Sequence, residues 1–561
     1  MNKITHLLTA YGENLTAKEY DIYPRPSLVR DSFFSLNGEW ELRINDKKYN
    51  IRVPYPPESI LSGVGRITSD KDVLVYKKIF SLYDGFIRGR VILHFGAIDS
   101  ISSVYLNGKP LGVHAGGYDH FSFDITDYIS KENTLTVEVR DELGKAVAPY
   151  GKQKYKRGGM WYTPVSGIWQ GVWLESVPNE YIKSLKIDTG CDFANIYFEG
   201  VDSGVVTVKT QAKDTLFPIE NGVCRIKIDE PVLWSPENPY LYYFTAESGK
   251  DKISSYFALR LLEIKEIDGV KRLCLNGKPY FFNAVLDQGY FSDGIYTPAS
   301  PKEYENDILA MKRLGFNTLR KHIKVEPDEF YYQCDKLGMI VFQDFVNNGK
   351  YSFLRDTALP TVITKRFPLW FNGRSRMQRE AFVRSMESAL KQLYNHPCIC
   401  LWTIFNEGWG QFDSDKMYLK LKELDQSRFI DTTSGWFKGK LSDVESEHVY
   451  FKAVKLKKSN KPILLSEFGG YSYKIDGHCA NYKKTYGYKK FSNGKDFENA
   501  LISLYENEII PNIKNGLCGA VYTQLSDVED ETNGLLTYDR KICKVSPEKM
   551  REIAKKLIIE Q

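Results

Sequence analysis

Two glutamates stand where an ionisable carboxyl costs free energy to keep. Glu407 closes the apolar run 399–405 behind Asn406, and Glu467 follows the run 463–465 with only Ser466 between. Both runs are too short for independent helices. Pro397 and Gly408 bound the first, and Gly469-Gly470 lies just past the second. Runs of this kind read as strands buried on both faces, as in a parallel sheet. A carboxyl at the end of such a strand is desolvated, and desolvated carboxyls are a usual source of proton donors, acceptors and nucleophiles. The two glutamates are 60 residues apart, about two β/α units at roughly 30 residues each. One glutamate alone would read as an ordinary loop charge. Two in matched settings suit cleavage of a glycosidic bond, in which one carboxyl protonates the departing oxygen and the other attacks the anomeric carbon or activates water.

Elements that would carry such a pair follow from the chain's pattern. From about residue 263, strands and helices alternate. The Ser300-Pro301-Lys302-Glu303 string opens a helix, which ends at Gly315, and further helices are expected over 328–337, 382–394 and 416–424. Strands are expected over 280–286, 317–320, 339–342, 399–405, 429–433, 449–451, 463–466 and 519–524. Eight strands over residues 263–561 predict a (β/α)8 barrel, whose functional residues gather at the C-terminal strand ends. On that count Glu407 ends the fourth strand and Glu467 the seventh. Residues 1–180 carry short alternating strands and the Asn107-Gly108 hairpin signal, which argue a β-sandwich. Residues 181–262 repeat the pattern at the size of an immunoglobulin-like sandwich.

Composition excludes other classes. The chain has 561 residues, 42% hydrophobic and 26% charged, the balance of a globular protein of several domains. Its 76 basic and 71 acidic residues leave a net charge of +5, so no nucleic-acid or membrane partner is implied. The N-terminal twenty residues lack a signal-peptide core, and no stretch approaches a membrane span. Nine cysteines without CxxC spacing point to reduced thiols and a cytoplasmic location. No metal-ligand or phosphate-cradle motif stands out, so neither metal nor cofactor is expected. Aromatics reach 14%, and a small carbohydrate or glycoside is the expected partner; a homo-oligomer is compatible with all of this.

The chain carries the strings Leu36-Asn37-Gly38-Glu39-Trp40, Val104-Tyr105-Leu106-Asn107-Gly108, Ser166-Gly167-Ile168-Trp169, Leu233-Trp234-Ser235-Pro236, Asn395-His396-Pro397, the run from Trp402 to Glu407, and Ser466-Glu467-Phe468-Gly469. In these it resembles the family 2 glycoside hydrolases, which include β-galactosidases, β-glucuronidases and β-mannosidases. The resemblance implies a compact three-domain form: a sugar-binding-like jelly-roll sandwich, an immunoglobulin-like sandwich and a catalytic TIM barrel. It also implies that Glu407 is the acid/base and Glu467 the nucleophile of a retaining exo-β-glycosidase. Asn406 would hydrogen-bond the sugar hydroxyl next to the anomeric carbon, Arg320 would stand near the nucleophile, and Tyr450 would touch it. His322 follows Arg320 without a secure match to the family string. Asp287, Trp436 and Gln524, at the ends of strands one, five and eight, are placed to line the pocket, and Trp161 and Tyr162 to close it from the first domain.

Departures from the family bear on the sugar. Galactosidases and glucuronidases place an Asp where this chain has Trp161. Glucuronidases carry an Asn-x-Lys clamp before a Gly in the last barrel loop, where this chain reads Glu531-Thr532-Asn533-Gly534. The loop 347–379 holds Lys350, Arg355, Lys365, Arg366, Arg374, Arg376 and Arg379, an alternative source of positive charge for an acidic sugar. A neutral, galactose-like sugar is the expectation, with a uronidase as the alternative reading and a non-catalytic carbohydrate-binding protein as a third.

Overall fold

The structure is a computed structural model. It describes residues 7–16, 19–210, 213–352, 354–358 and 375–559, without the side chains of residues 357 and 358. Two antiparallel sheets of four and six strands face each other between residues 33 and 177. Alternating residues of both, among them Trp40, Tyr76, Leu93, Val104 and Val137, fill the space between them. The hairpin Ile101–Leu106 to Lys109–Ala115 turns at Asn107 and Gly108. Both have positive φ, 53° and 77°, as a two-residue type I′ turn requires. Seven antiparallel strands from Ser184–Thr189 to Asp251–Phe257 then wrap a separate core around Ile196, Val206 and Phe244.

The last part is an eight-stranded parallel barrel. Its strands are Phe282–Asp287, Thr318–Lys321, Ile340–Asp344, Ile399–Asn406, Phe429–Ser434, Glu445–Val449, Ile463–Gly469 and Leu517–Thr523. Backbone ladders run from the fifth strand through the first to the sixth. Side chains join the fifth strand to the sixth, where the Ser434 hydroxyl lies 3.0 Å from His448 Nε2 and 3.4 Å from the Ser446 hydroxyl. The helices lie close to the expected positions. Lys302–Arg313, Asp328–Leu337 and Ser414–Leu424 match within two residues, and Arg376–Leu393 begins six residues earlier than expected because Ser375 and Gln378 form a full capping box.

The sixth strand differs from expectation. It spans Glu445–Val449 and ends before Tyr450 instead of running over 449–451. Its inward residues are Ser446 and His448, and its outward Glu445 and Glu447 are both held by Lys438. No apolar run marks such a strand.

Candidate active site

Arg320 organises the mouth of the barrel. It leaves the second strand pointing inward and is fully buried. Its guanidinium donates to both carboxylate oxygens of Asp344 at 3.0 Å, to Glu467 Oε1 at 3.1 Å, to the Ser466 carbonyl at 3.0 Å and to Asn406 Oδ1 at 2.8 Å. A planar five-donor fork suits several acceptors at fixed angles. The bond to Asn406 also fixes that amide. With its oxygen taken by Arg320, its NH2 group is left to donate into the mouth.

Glu467 is held from three sides. Arg320 takes Oε1, the Tyr450 hydroxyl donates to Oε2, and His448 Nδ1 lies 3.7 Å from Oε2. Burial pushes the Glu467 carboxyl up, but the charges of His448, Arg320 and His322 and the Tyr450 hydroxyl outweigh it and hold it down at about 2. Its folded pKa is therefore depressed. The ionised carboxylate stabilises the fold above its ordinary value near 4.5, and that contribution fades as pH falls toward 2. Replacing Tyr450 by Phe removes one of the lowering contacts. The acid limb of kcat/KM is expected at higher pH in Tyr450→Phe than in the parent, with activity about 10- to 100-fold down, the worth of a hydrogen bond to a charged group. A pH–rate profile of the two enzymes measures both.

Glu407 lies one residue past the fourth strand, in the left-handed region at φ 51°. That conformation costs a non-glycine residue of order 1–3 kcal/mol. The bond from its N–H to the Ser434 carbonyl at 2.9 Å helps hold it. Its Oε1 is 2.8 Å from His448 Nδ1. His448 thus stands between the two carboxyls, and its other ring nitrogen reaches Ser434. Burial works against the His448 proton, but Glu467 and Glu407 outweigh it, so the imidazole holds its proton above its usual range. One oxygen of Glu407, His448 Nδ1 and one oxygen of Glu467 all lie within 4.8 Å of one another. A divalent ion could use such a set, but His448 is engaged through both nitrogens and Arg320 already neutralises Glu467. The arrangement sets two carboxyls on either side of one imidazole.

Gly435 makes room for His448. It has φ 86°, and a Cβ there would stand 2.7 Å from the imidazole. Gly435→Ala is expected to destabilise the protein by about 1–3 kcal/mol and to displace His448 from Glu407. Thermal denaturation and the pH–rate profile would report the two effects separately.

The remaining candidates divide. His322 donates or accepts at Asp344 Oδ2, 2.7 Å away, two residues on from Arg320. Trp436 is half-buried, its ring 6.2 Å from that of His448. Gln524 accepts from Gln288 Nε2 at 2.9 Å beside the eighth strand. Trp161 comes over from the first domain, and its ring packs edge-on against Trp409 at 5.1 Å and Tyr351 at 4.8 Å. Trp409 is three residues past Asn406 and donates its N–H to the Asn406 carbonyl at 3.2 Å. Asp287 is not in the pocket. Ala284 and Leu286 face inward, so the next residue of the strand faces out, where Asp287 takes the Lys321 ammonium at 2.5 Å and Lys321 in turn reaches Glu326 at 2.8 Å. Of the basic loop, Lys365, Arg366 and Arg374 lie outside the described residues. Lys350 is exposed; Arg355 pairs with Asp356, Arg376 with Glu380 and Arg379 with Asp413.

Sequence reasoning missed four residues here. Asp344 ends the third strand behind the apolar residues Ile340, Val341 and Phe342, the same signal that marked Glu407. His448 sits in the polar strand described above. Tyr488, whose ring stacks on Tyr450 at 3.8 Å, and Trp409 belong to loops without a periodic signal.

Three family models cover this architecture. The TIM barrel domain of glycosyl hydrolases family 2 matches residues 266–557, the family's sugar binding domain residues 20–178, and a further family 2 domain residues 183–260. The chain belongs to glycosyl hydrolases family 2. A putative beta-glucuronidase of Formosa agariphila is 25% identical over 448 residues, 69% of this chain and 49% of that protein. A beta-galactosidase of Thermoanaerobacter pseudethanolicus is 25% identical over 435 residues, 71% of this chain and 54% of its own length. The chain thus spans about half the length of these curated relatives. Among solved structures, an uncultured Clostridium sp. beta-glucuronidase superposes with a TM-score of 0.74 at 17% identity, covering 95% of this chain and 99% of that one. A family 2 beta-galacturonidase from Eisenbergiella tayi gives 0.69 at 18% identity, covering 95% and 98%. These likenesses show the fold. Among the described residues no helix is long and apolar enough to cross a membrane.

Proposed function

We propose that the protein is a retaining exo-β-glycosidase that removes one terminal β-linked sugar by double displacement. The observation that carries this reading is the approach of Glu407 and Glu467, with one oxygen of each within 4.8 Å. Retaining glycosidases hold their two carboxyls about 5–5.5 Å apart, whereas inverting ones leave room for a water at 6.5–9.5 Å. Glu467, kept ionised by Arg320, His448 and Tyr450, attacks the anomeric carbon. Glu407 gives its proton to the departing oxygen. Water then enters, Glu407 takes a proton from it, and the glycosyl ester on Glu467 is cleaved. Asn406, its amide oriented by Arg320, donates to the hydroxyl beside the anomeric carbon. Trp161, Tyr351 and Trp409 wall the mouth, which favours a single terminal sugar over an internal chain segment.

Both galactosidases and glucuronidases stand among the relatives, so a neutral galactose-like sugar and a uronate are the two readings of the sugar. Retention is tested by NMR on a fresh reaction. The first product is expected to be the β-anomer, and an initial α-anomer would overturn the double displacement. A nitrophenyl glycoside panel separates catalysis from carbohydrate binding without turnover.

A further inference from the structure

Lys152 belongs to the first domain, in the segment Gly151-Lys152-Gln153-Lys154-Tyr155-Lys156-Arg157 that leads into Trp161. It is 9% exposed. Among the described residues no carboxylate lies within 4.0 Å of its ammonium and no oxygen takes a hydrogen bond from it; its neighbour is the Trp161 ring, 5.7 Å away. The side chain is largely covered while its ammonium is not one of the sealed polar atoms, so the charge stays available to a ligand, with the Trp161 ring face as its contact. Most other buried lysines of this chain are paired: Lys321 with Asp287 and Glu326, Lys324 with Glu326, Lys544 with Asp527.

Lys152 is also in the right place. Its carbonyl accepts from the Tyr162 N–H at 3.0 Å, and the Tyr162 hydroxyl donates to Glu531 Oε2 in the last barrel loop. The Lys152 charge is felt by His322, next to Arg320, and by Glu531. Glu531 forms no ion pair with it within 4.0 Å; its oxygens accept from Tyr162 and Asn533 Nδ2, and burial pushes that carboxyl up. Lys154 adds a second positive charge on the same ring system, its ammonium 4.9 Å from Trp161 and 5.4 Å from Tyr351. The first domain thus sends an unpaired cation into the wall that closes the mouth over Glu467.

We infer that Lys152, supported by Lys154, is the anion-binding end of the sugar pocket, and that the sugar it receives is a terminal hexuronic acid held by its C6 carboxylate. This rests on the glycosidase reading above. It supplies from the first domain the fixed cation that Asn533 cannot supply from the last barrel loop.

The test uses the whole chain and 4-nitrophenyl β-glycosides of glucuronic acid, galacturonic acid, galactose, glucose and 6-O-sulfated galactose. Expected is a higher kcat/KM for one of the uronides than for either neutral hexoside. In Lys152→Met the ratio of uronide to galactoside kcat/KM is expected to fall about 100-fold, mostly through KM, and Lys152→Arg should restore part of it. Free glucuronate or galacturonate should inhibit the parent better than glucose or galactose, a readout that needs no variant to fold. A ratio unmoved by Lys152→Met, or preferred cleavage of a neutral hexoside, would overturn the uronate assignment and leave the glycosidase reading standing. Preference for the sulfated galactoside would overturn the carboxylate in favour of a sulfate ester. Failure to cleave any glycoside would instead remove the glycosidase reading itself.

Discussion

Glu467→Ala is expected to lower kcat by about 10^4- to 10^6-fold on every glycoside, whatever its leaving group. Without the carboxylate no glycosyl ester forms, and neither Glu407 nor a water at the Arg320 guanidinium replaces it. Because the loss is in the nucleophile, better leaving groups do not recover it. Azide is expected to restore turnover in the cavity left by the side chain, giving the α-glycosyl azide. Residual activity above that range, or a β-azide, would mean that Glu467 is not the attacking group. The same substitution leaves the Arg320 guanidinium with one acceptor fewer while its bonds to Asp344, Asn406 and Ser466 remain. The fold should therefore survive, and circular dichroism of the variant separates lost chemistry from lost structure.

Glu407→Ala is expected to behave differently, and the difference is the diagnostic. General acid catalysis is worth about 10^2- to 10^4-fold, and that loss should fall on alkyl glycosides, whose leaving oxygen needs a proton. Nitrophenyl and dinitrophenyl glycosides should keep most of their glycosylation rate. Their slow step becomes hydrolysis of the glycosyl enzyme, because no base activates water. A burst of nitrophenol followed by a slow steady state is the expected time course. Azide, which needs no base, should accelerate the second phase and yield the β-glycosyl azide. Equal losses on both substrate classes, without azide rescue, would show the two roles to be wrongly divided between Glu407 and Glu467.

Much of this architecture was legible in the sequence because the barrel announces itself through apolar strands. Residues 399–406 and 463–469 are buried at every position, so their runs are unbroken and the glutamates beyond them stand out. The sixth strand was misplaced for the opposite reason. Its residues Glu445, Ser446, Glu447 and His448 are polar on both faces, the outer pair held by Lys438 and the inner pair by hydroxyl contacts, so hydrophobic periodicity had nothing to read. His448 was lost with it. Asp287 shows a different failure: its position at a strand end was right, but the two-residue alternation that places Leu286 inward turns it away from the mouth. Lys152 was out of reach altogether. It lies in a loop, about 250 residues before Glu407, and only the docking of the first domain on the barrel brings it there.

That docking is extensive. The Tyr150 and Gly151 amides donate to the Asn347 carbonyl, the Tyr150 hydroxyl to Gly349, Asn348 to the Val147 carbonyl and the Thr163 amide to Glu529. A sugar held between Trp161 and Glu467, as proposed, would bridge the first domain and the barrel, which already share one buried core. Mass action follows: a ligand that binds only the docked form stabilises it by about 2.7 kcal/mol at a hundredfold excess over Kd. A saturating sugar should therefore raise the melting temperature, and Trp161→Ala should reduce that rise. On the proposed reading, the candidate site would also act as a clasp between the first domain and the barrel.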